Sequence, residues 1–149
     1  MSQMSKPLPF GMDEKQLDKA SVFYAFYSAK TGAGRQEITI TADGKVSLLL
    51  TETADARPEM REGRLAPEIV IRLFDYMEGQ DFMQMAAEYP NDKDVYVTRV
   101  ITLTVGDKVK KVTLEKPGVL EFERVVGAIK LAAGIALPEA LNKRFFPNL

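Results

Sequence analysis

An α+β fold, with an antiparallel sheet of about five strands in the order β-β-β-α-β-β-α and two main helices on one face, is predicted by three features of this sequence. First, Asp43-Gly44 sits between two runs that alternate apolar and polar residues, which is the strongest short hairpin signal. Second, Ile69, Val70, Leu73, Phe74 and Met77 recur at helical spacing, as do Phe122, Val125, Val126, Ile129 and Ala133. Third, runs of strands alternate with single helices and are joined by tight turns, which implies antiparallel neighbours with helices packed against them.

Each element has a local reason. Lys6-Pro7-Leu8-Pro9-Phe10-Gly11 reads as an extended arm, because two prolines exclude a regular helix. Asp13 and Gln16 have capping-box spacing and predict a short helix over Glu14 to Ala20. The chain thus divides into an arm with a short helix over 1–20 and one α+β domain over 21–149. Val22 to Ala29 is aromatic and β-branched and predicts the first strand. Thr31 to Gly34 is a turn. Gln36 to Ala42 then alternates, with Ile38 and Ile40 on one face and Glu37, Thr39 and Thr41 on the other. The Asp43-Gly44 pair predicts a two-residue turn with both central residues at positive φ. Val46, Leu48 and Leu50 continue the buried face on the return strand.

Thr53 to Ala66 has no apolar period and reads as a long loop. Pro67 suits the first helical position after a weak Ala66 cap, and Gly79 is the expected stop. A short helical turn over Asp81 to Glu88, with Phe82, Met85 and Ala86 inward, ends at Tyr89-Pro90-Asn91-Asp92. Val95 to Val105 is a long strand with Val97, Ile101, Leu103 and Val105 on one face. Gly106-Asp107 turns it into Lys108 to Glu115, where Val112 and Leu114 point inward. Lys116-Pro117-Gly118 leads into the second long helix, closed by Gly134. Pro138 to Phe146 reads as a short final helix.

Composition restricts function. At 149 residues the chain suits one domain able to bury roughly 70% of its extended surface. Its net charge is −1, from 20 basic and 21 acidic side chains, so it has no basic field for a phosphate backbone and no nucleic-acid partner is expected. It has no cysteine and no histidine, which excludes thiol chemistry and removes the commonest general base and zinc ligand. No cofactor and no metal is expected. Met1 to Gly11 has one lysine and no apolar run, so no secretory leader is read there and a cytoplasmic place is expected. Val125 to Leu137 is too short to span a bilayer, which takes about 20 apolar residues.

The chemistry-bearing motifs are sparse. No Gly-x-Ser-x-Gly elbow, Ser-x-x-Lys pair, phosphate-binding glycine loop or dinucleotide fingerprint occurs, and Gly32-Ala33-Gly34 reads as a turn. Glu78 and Asp81, with Asp75, are the best acid–base carboxylates, but a solvated acidic helix end explains them as simply. Asn91-Asp92-Lys93-Asp94 lacks the spacing of a calcium loop and reads as a turn. Arg99 interrupts an apolar strand face, so either a bulge shifts the phase or the guanidinium reaches the sheet end. Phe23, Tyr24, Phe26 and Tyr27 put aromatics on both faces of the first strand, as a central strand or a contact patch would.

The candidate partner-binding residues are Arg57, Met60, Arg61 and Arg64, in the long loop, where Asp55, Glu59 and Glu62 offset the arginines. Met77, Met83 and Met85 would make an apolar pocket between sheet and helices adaptable. The expectation is a non-enzymatic protein-binding domain with a protein partner or a second copy of itself. A carrier of a small apolar ligand is the alternative.

The order Ile38-x-Ile40, Asp43-Gly44-x-Val46, Leu73 with Asp81-Phe82, Thr102-x-Thr104-Val105-Gly106 with Val112, then Phe122 to Ile129 resembles small bacterial domains of the emfourin type and related uncharacterised bacterial domains. The resemblance covers Gln36 to Ala133. It implies a compact α+β domain and, from emfourin-like proteins, inhibition of thermolysin-type metallopeptidases. The Thr53 to Ala66 segment and the N-terminal arm depart from that pattern, and no inhibitory residue is carried over.

Overall fold

The structure is a computed structural model that describes residues 7–28, 34–51, 57–93 and 97–138. Its architecture is α+β. Among the described residues seven strands form one mixed sheet, β1 (Ser21–Ser28), β2 (Gly34–Thr41), β3 (Lys45–Thr51), β4 (Glu59–Arg64), β5 (Glu88–Tyr89), β6 (Val97–Val105) and β7 (Lys108–Leu114). Three α-helices accompany them, α1 (Glu14–Asp18), α2 (Pro67–Gly79) and α3 (Leu120–Ala136). The strand order is β4-β3-β2-β1-β6-β7-β5, so the aromatic first strand lies at the centre and joins the two halves.

The expected meander of β1, β2 and β3 is present, with Ile38 opposite Leu48 and Ile40 opposite Val46. The hairpin turn differs from expectation. Ala42, Asp43 and Gly44 form a three-residue loop, in which the Gly44 N–H donates to the Thr41 carbonyl (2.9 Å) and only Gly44 has positive φ (99°). Three-residue loops carry one left-handed residue after a type I turn, and glycine fills that position without strain. The Thr41 hydroxyl and the Lys45 N–H (3.2 Å) bind the Asp43 carboxylate and hold its pKa below the ordinary 3.8.

Two strands correct the expected count of five. β4 runs through the segment read as a loop, and β5 pairs parallel with β7, which makes the sheet mixed. Glu-Met-Arg-Glu-Gly-Arg has little β-propensity of its own. Its backbone instead satisfies the open edge of β3, a demand set by the neighbour and invisible in the segment itself. Residues 52–56, the rest of that expected loop apart from Arg57, Pro58 and the stretch after β4, lie outside the described residues, as do the Thr31 turn, apart from Gly34, and all but the first residue of the expected Pro138 helix.

The core lies between the helix-side face of the sheet and α2 and α3. Ile38, Ile40, Val46, Leu48, Ile101, Leu103, Val112 and Leu114 are buried there with Val70, Phe74 and Met77 of α2 and Phe122, Val125 and Ile129 of α3. Ala25 and Val100 are buried as well, but they occupy the opposite face and stand outside this core. Met77 and Met85 are core residues and Met83 is partly buried against the core.

Helix ends follow local chemistry, with two corrections. Asp13 and Gln16 form the expected capping box, with Gln16 N–H donating to Asp13 Oδ1 (2.8 Å) and Asp13 N–H to Gln16 Oε1 (2.9 Å). Ala66 caps α2 without a side-chain bond, as expected. Gly79, however, is still helical, and the left-handed residue that ends the turn is Asp81 (φ 58°). α3 passes through Gly134 to Ala136. The arm is not simply extended, since Pro9–Gly11 closes a tight turn and the Phe10 N–H donates to Glu78 Oε2 (2.8 Å). The expected turn of helix after Asp81 is a single 3-10 turn over Phe82–Gln84, and Ala86 is exposed rather than inward.

Candidate functional site

The strand alternation of β4 separates the four residues singled out from the sequence. Met60 and Arg64 oppose Leu49 and Lys45 on the open face of the sheet, whereas Arg61 opposes Leu48 on the helix-side face. Arg57 precedes the strand and is exposed. Arg61 Nη1 donates to the Met60 carbonyl (3.1 Å), and Arg64 Nη1 stands 3.9 Å from Asp43 Oδ2. These residues therefore share an edge but no common surface. Gly63, between them, faces the helix side, and a Cβ there would lie 2.8 Å from the Ala136 carbonyl oxygen and 2.9 Å from Leu137 Cγ. The bare backbone at Gly63 is what lets the end of α3 rest on β4.

The aromatics of β1 divide in the same way. Tyr24 and Phe26 point to the core side, while Phe23 and Tyr27 flank Ala25 on the open face. The Arg35 guanidinium lies 5.1 Å from the Tyr27 ring and pairs with Glu37. Of the carboxylates considered for acid–base chemistry, Glu78 is occupied by the Phe10 N–H, and Asp75 and Asp81 are exposed. Asn91 closes a turn by accepting the Lys93 N–H (3.1 Å).

Arg99 stays in the inner phase of β6 because pairing with β1 runs without a bulge. Its guanidinium crosses to α3, where Nη1 meets Glu123 Oε1 (2.7 Å) and Nη2 meets Oε2, and it lies 5.4 Å from the Phe122 ring. This fork-to-carboxylate bond lowers the Glu123 pKa and raises that of Arg99. Burial pushes the neighbouring Tyr24 hydroxyl up to about 12. Burial, and then the charge of Arg99, lowers the pKa of Lys130. The cluster ties sheet to helix.

A concave surface lies between α2 and α3, on their outer side. It is a groove of about 460 Å³, within the range of ligand-sized clefts. Its apolar lining comes from Ile69, Leu73 and Tyr76 of α2 and Ala128, Leu131, Ala132 and Ile135 of α3. Gly127 opens it, since a Cβ there would have no atom within 4 Å. Leu131, Ile135 and Tyr76 are 70%, 56% and 41% exposed, so the wall is apolar side chain facing water. Arg72 and Arg124 also line the groove, and among the described residues neither forms an ion pair. No methionine lines it, and it lies outside the sheet–helix layer where an adaptable pocket was expected.

Sequence reading missed this groove. The core stripe of α3 accounts for Phe122, Val125, Val126 and Ile129. The signal is a second row, Gly127, Leu131 and Ile135 at successive i+4 steps, beside the stripe that the core already uses. The groove holds no carboxylate and one phenol, so what it supplies is contact area and positive charge. Among the described residues no group of three or more acidic side chains could hold a metal ion, and no helix is long and apolar enough to cross a membrane. No protein-family model matches the chain, and no curated protein matches it.

Proposed function

We propose that this chain is a non-enzymatic protein-binding domain whose partner docks in the groove between α2 and α3. One observation carries the reading. Leu131 and Ile135, large apolar side chains on a regular helix, stand more than half exposed beside a cleft that Gly127 keeps open. Isolated apolar residues on a surface need no explanation, but a row of them along a concave groove marks an interaction site. Aromatic and arginine side chains, here Tyr76, Arg72 and Arg124, are the types that anchor interfaces.

The test is affinity capture from the source cell's extract with wild type and with Leu131→Glu/Ile135→Glu. Both positions are exposed, so the double variant keeps its fold and its unfolding free energy, measured in urea, changes by no more than about 0.5 kcal/mol per site. Partners retained by wild type and lost by the variant support the reading. Equal capture by both proteins contradicts it. The peptidase-inhibiting form of the function, implied by the emfourin-like pattern, is checked against a thermolysin-type metallopeptidase. Unchanged hydrolysis in molar excess of this protein removes that form and leaves the docking reading to the capture result. Native mass spectrometry separates the carrier alternative, which requires a mass above that of the bare chain after adding lipid.

A further inference from the structure

Building on the docking reading above, we infer that the occupant of the α2–α3 groove is a short amphipathic helix that carries carboxylates, recognised through Arg72 and Arg124. Three features of the groove select that chemistry. The first is shape. Two helices side by side leave a furrow into which the ridge of a third helix fits. An extended segment would find no backbone partners there, because the lining is helix side chain and its own N–H and C=O groups would be covered unpaired. The second is length. From Arg124 to Ile135 the wall rises about 16 Å at 1.5 Å per residue, room for roughly three helical turns. The row Gly127, Leu131, Ile135 is the complement of anchors at i, i+3 or i+4, and i+7 on the incoming helix.

The third is charge. Arg72 and Arg124, one from each wall, face the same groove and form no ion pair among the described residues. The nearest acidic residue of α3 in sequence, Glu123, is already bound by Arg99. Glu68, Asp75 and Glu121 neighbour the two arginines on their helices but none lines the groove, so a basic partner would place its charges beside two guanidinium groups and meet no carboxylate in the lining. A carboxylate-bearing helix meets each with a forked, charge-assisted bond. An acidic amphipathic segment is thus selected over a basic one by repulsion as well as by attraction.

The experiment is a display library of amphipathic helical peptides, with randomised charged positions, selected on the intact protein. Four proteins are compared: wild type, Gly127→Leu, Arg72→Glu/Arg124→Glu and Arg72→Lys/Arg124→Lys. A Cβ at 127 meets no atom within 4 Å, the position is exposed, and leucine improves helix propensity by up to about 1 kcal/mol, so that variant is expected to fold, which its circular dichroism and urea midpoint check. The expected result is enrichment of Asp and Glu beside apolar anchors, with binding lost in Gly127→Leu and in the charge reversal. The lysine variant should retain binding, weakened about three- to tenfold, and added salt should weaken wild-type binding. Groove-dependent peptides with no acidic preference overturn this inference and leave the docking reading in place. Absence of any peptide sensitive to Gly127→Leu overturns both.

Discussion

Replacing Gly63 by alanine probes the contact that the sequence least suggests, the end of α3 resting on β4. An added Cβ would stand 2.8 Å from the Ala136 carbonyl oxygen and 2.9 and 3.0 Å from Leu137 Cγ and Cδ2. The leucine atoms belong to a side chain that can rotate, but the Ala136 oxygen is backbone at a helix end and moves only with α3. Forcing a methyl into such a site costs about 1–3 kcal/mol. Alanine in a strand recovers about 0.5–1 kcal/mol over glycine. The balance is a net loss of up to about 2.5 kcal/mol. Gly63→Val adds two methyls and loses more, against its higher β-propensity. Urea unfolding followed by far-ultraviolet circular dichroism measures this. With m near ~2 kcal/mol/M, each 1 kcal/mol lowers the midpoint by about 0.5 M. Combining Gly63→Ala with Leu137→Ala should show a coupling of at least about 0.5 kcal/mol. If Gly63→Ala instead raises stability by ~0.4–1 kcal/mol, as at an unencumbered glycine, the packing of α3 on β4 is wrong.

Further outcomes follow from the same packing. Gly44→Ala should lose about 2–4 kcal/mol by thermal or urea unfolding, since Gly44 has φ of 99° and its Cβ would collide with the Leu65 carbonyl oxygen. Leu48→Ala, in the core, should lose about 2–5 kcal/mol, while Thr39→Ala on the open face should lose much less; equal shifts of the urea midpoint would refute the assignment of faces. Arg99→Ala should lose about 1–3 kcal/mol, whereas Arg99→Met, which fills the same space without a charge, should lose under about 1 kcal/mol. The pH dependence has a definite sign. The Glu123 pKa is lowered in the folded state, so its contribution is present above the ordinary value of 4.5 and is lost as pH falls through the folded value. The stability gap between wild type and Arg99→Ala should therefore narrow in acid, and a gap that is constant from pH 6 to pH 2 would contradict the pairing.

The elements legible in the sequence are those whose signal is written in their own residues. Ile38-x-Ile40 and Val46-x-Leu48-x-Leu50 alternate because one face of each strand is buried, and that period fixes which side chains meet the core. The stripes of α2 and α3 are legible for the same reason. The turn between β2 and β3 was half legible, because Asp-Gly marks a hairpin but does not say whether Ala42 joins the loop or the ladder. Gly79 and Gly134 mislead as helix stops, since Asp81 supplies the left-handed residue after α2 and α3 runs on to Ala136, resting on β4. β4 is invisible locally because Glu59 to Arg64 is charged, and only the unpaired edge of β3 makes it a strand. That pairing also disperses Arg57, Met60, Arg61 and Arg64, which look like one cluster when the segment is read as a loop. The groove belongs to two helices at once, so Arg72 and Arg124 carry no shared signal until the chain is folded.

The most direct test of groove docking is site-specific photo-cross-linking in the source cell. A benzophenone amino acid is placed at Leu131, on the groove wall, or at Thr102, beside Phe23 on the open face of the sheet. Docking between α2 and α3 predicts a discrete cross-linked species from position 131, abolished by Gly127→Leu, and none from position 102. Cross-linking from position 102 with none from position 131 would contradict it.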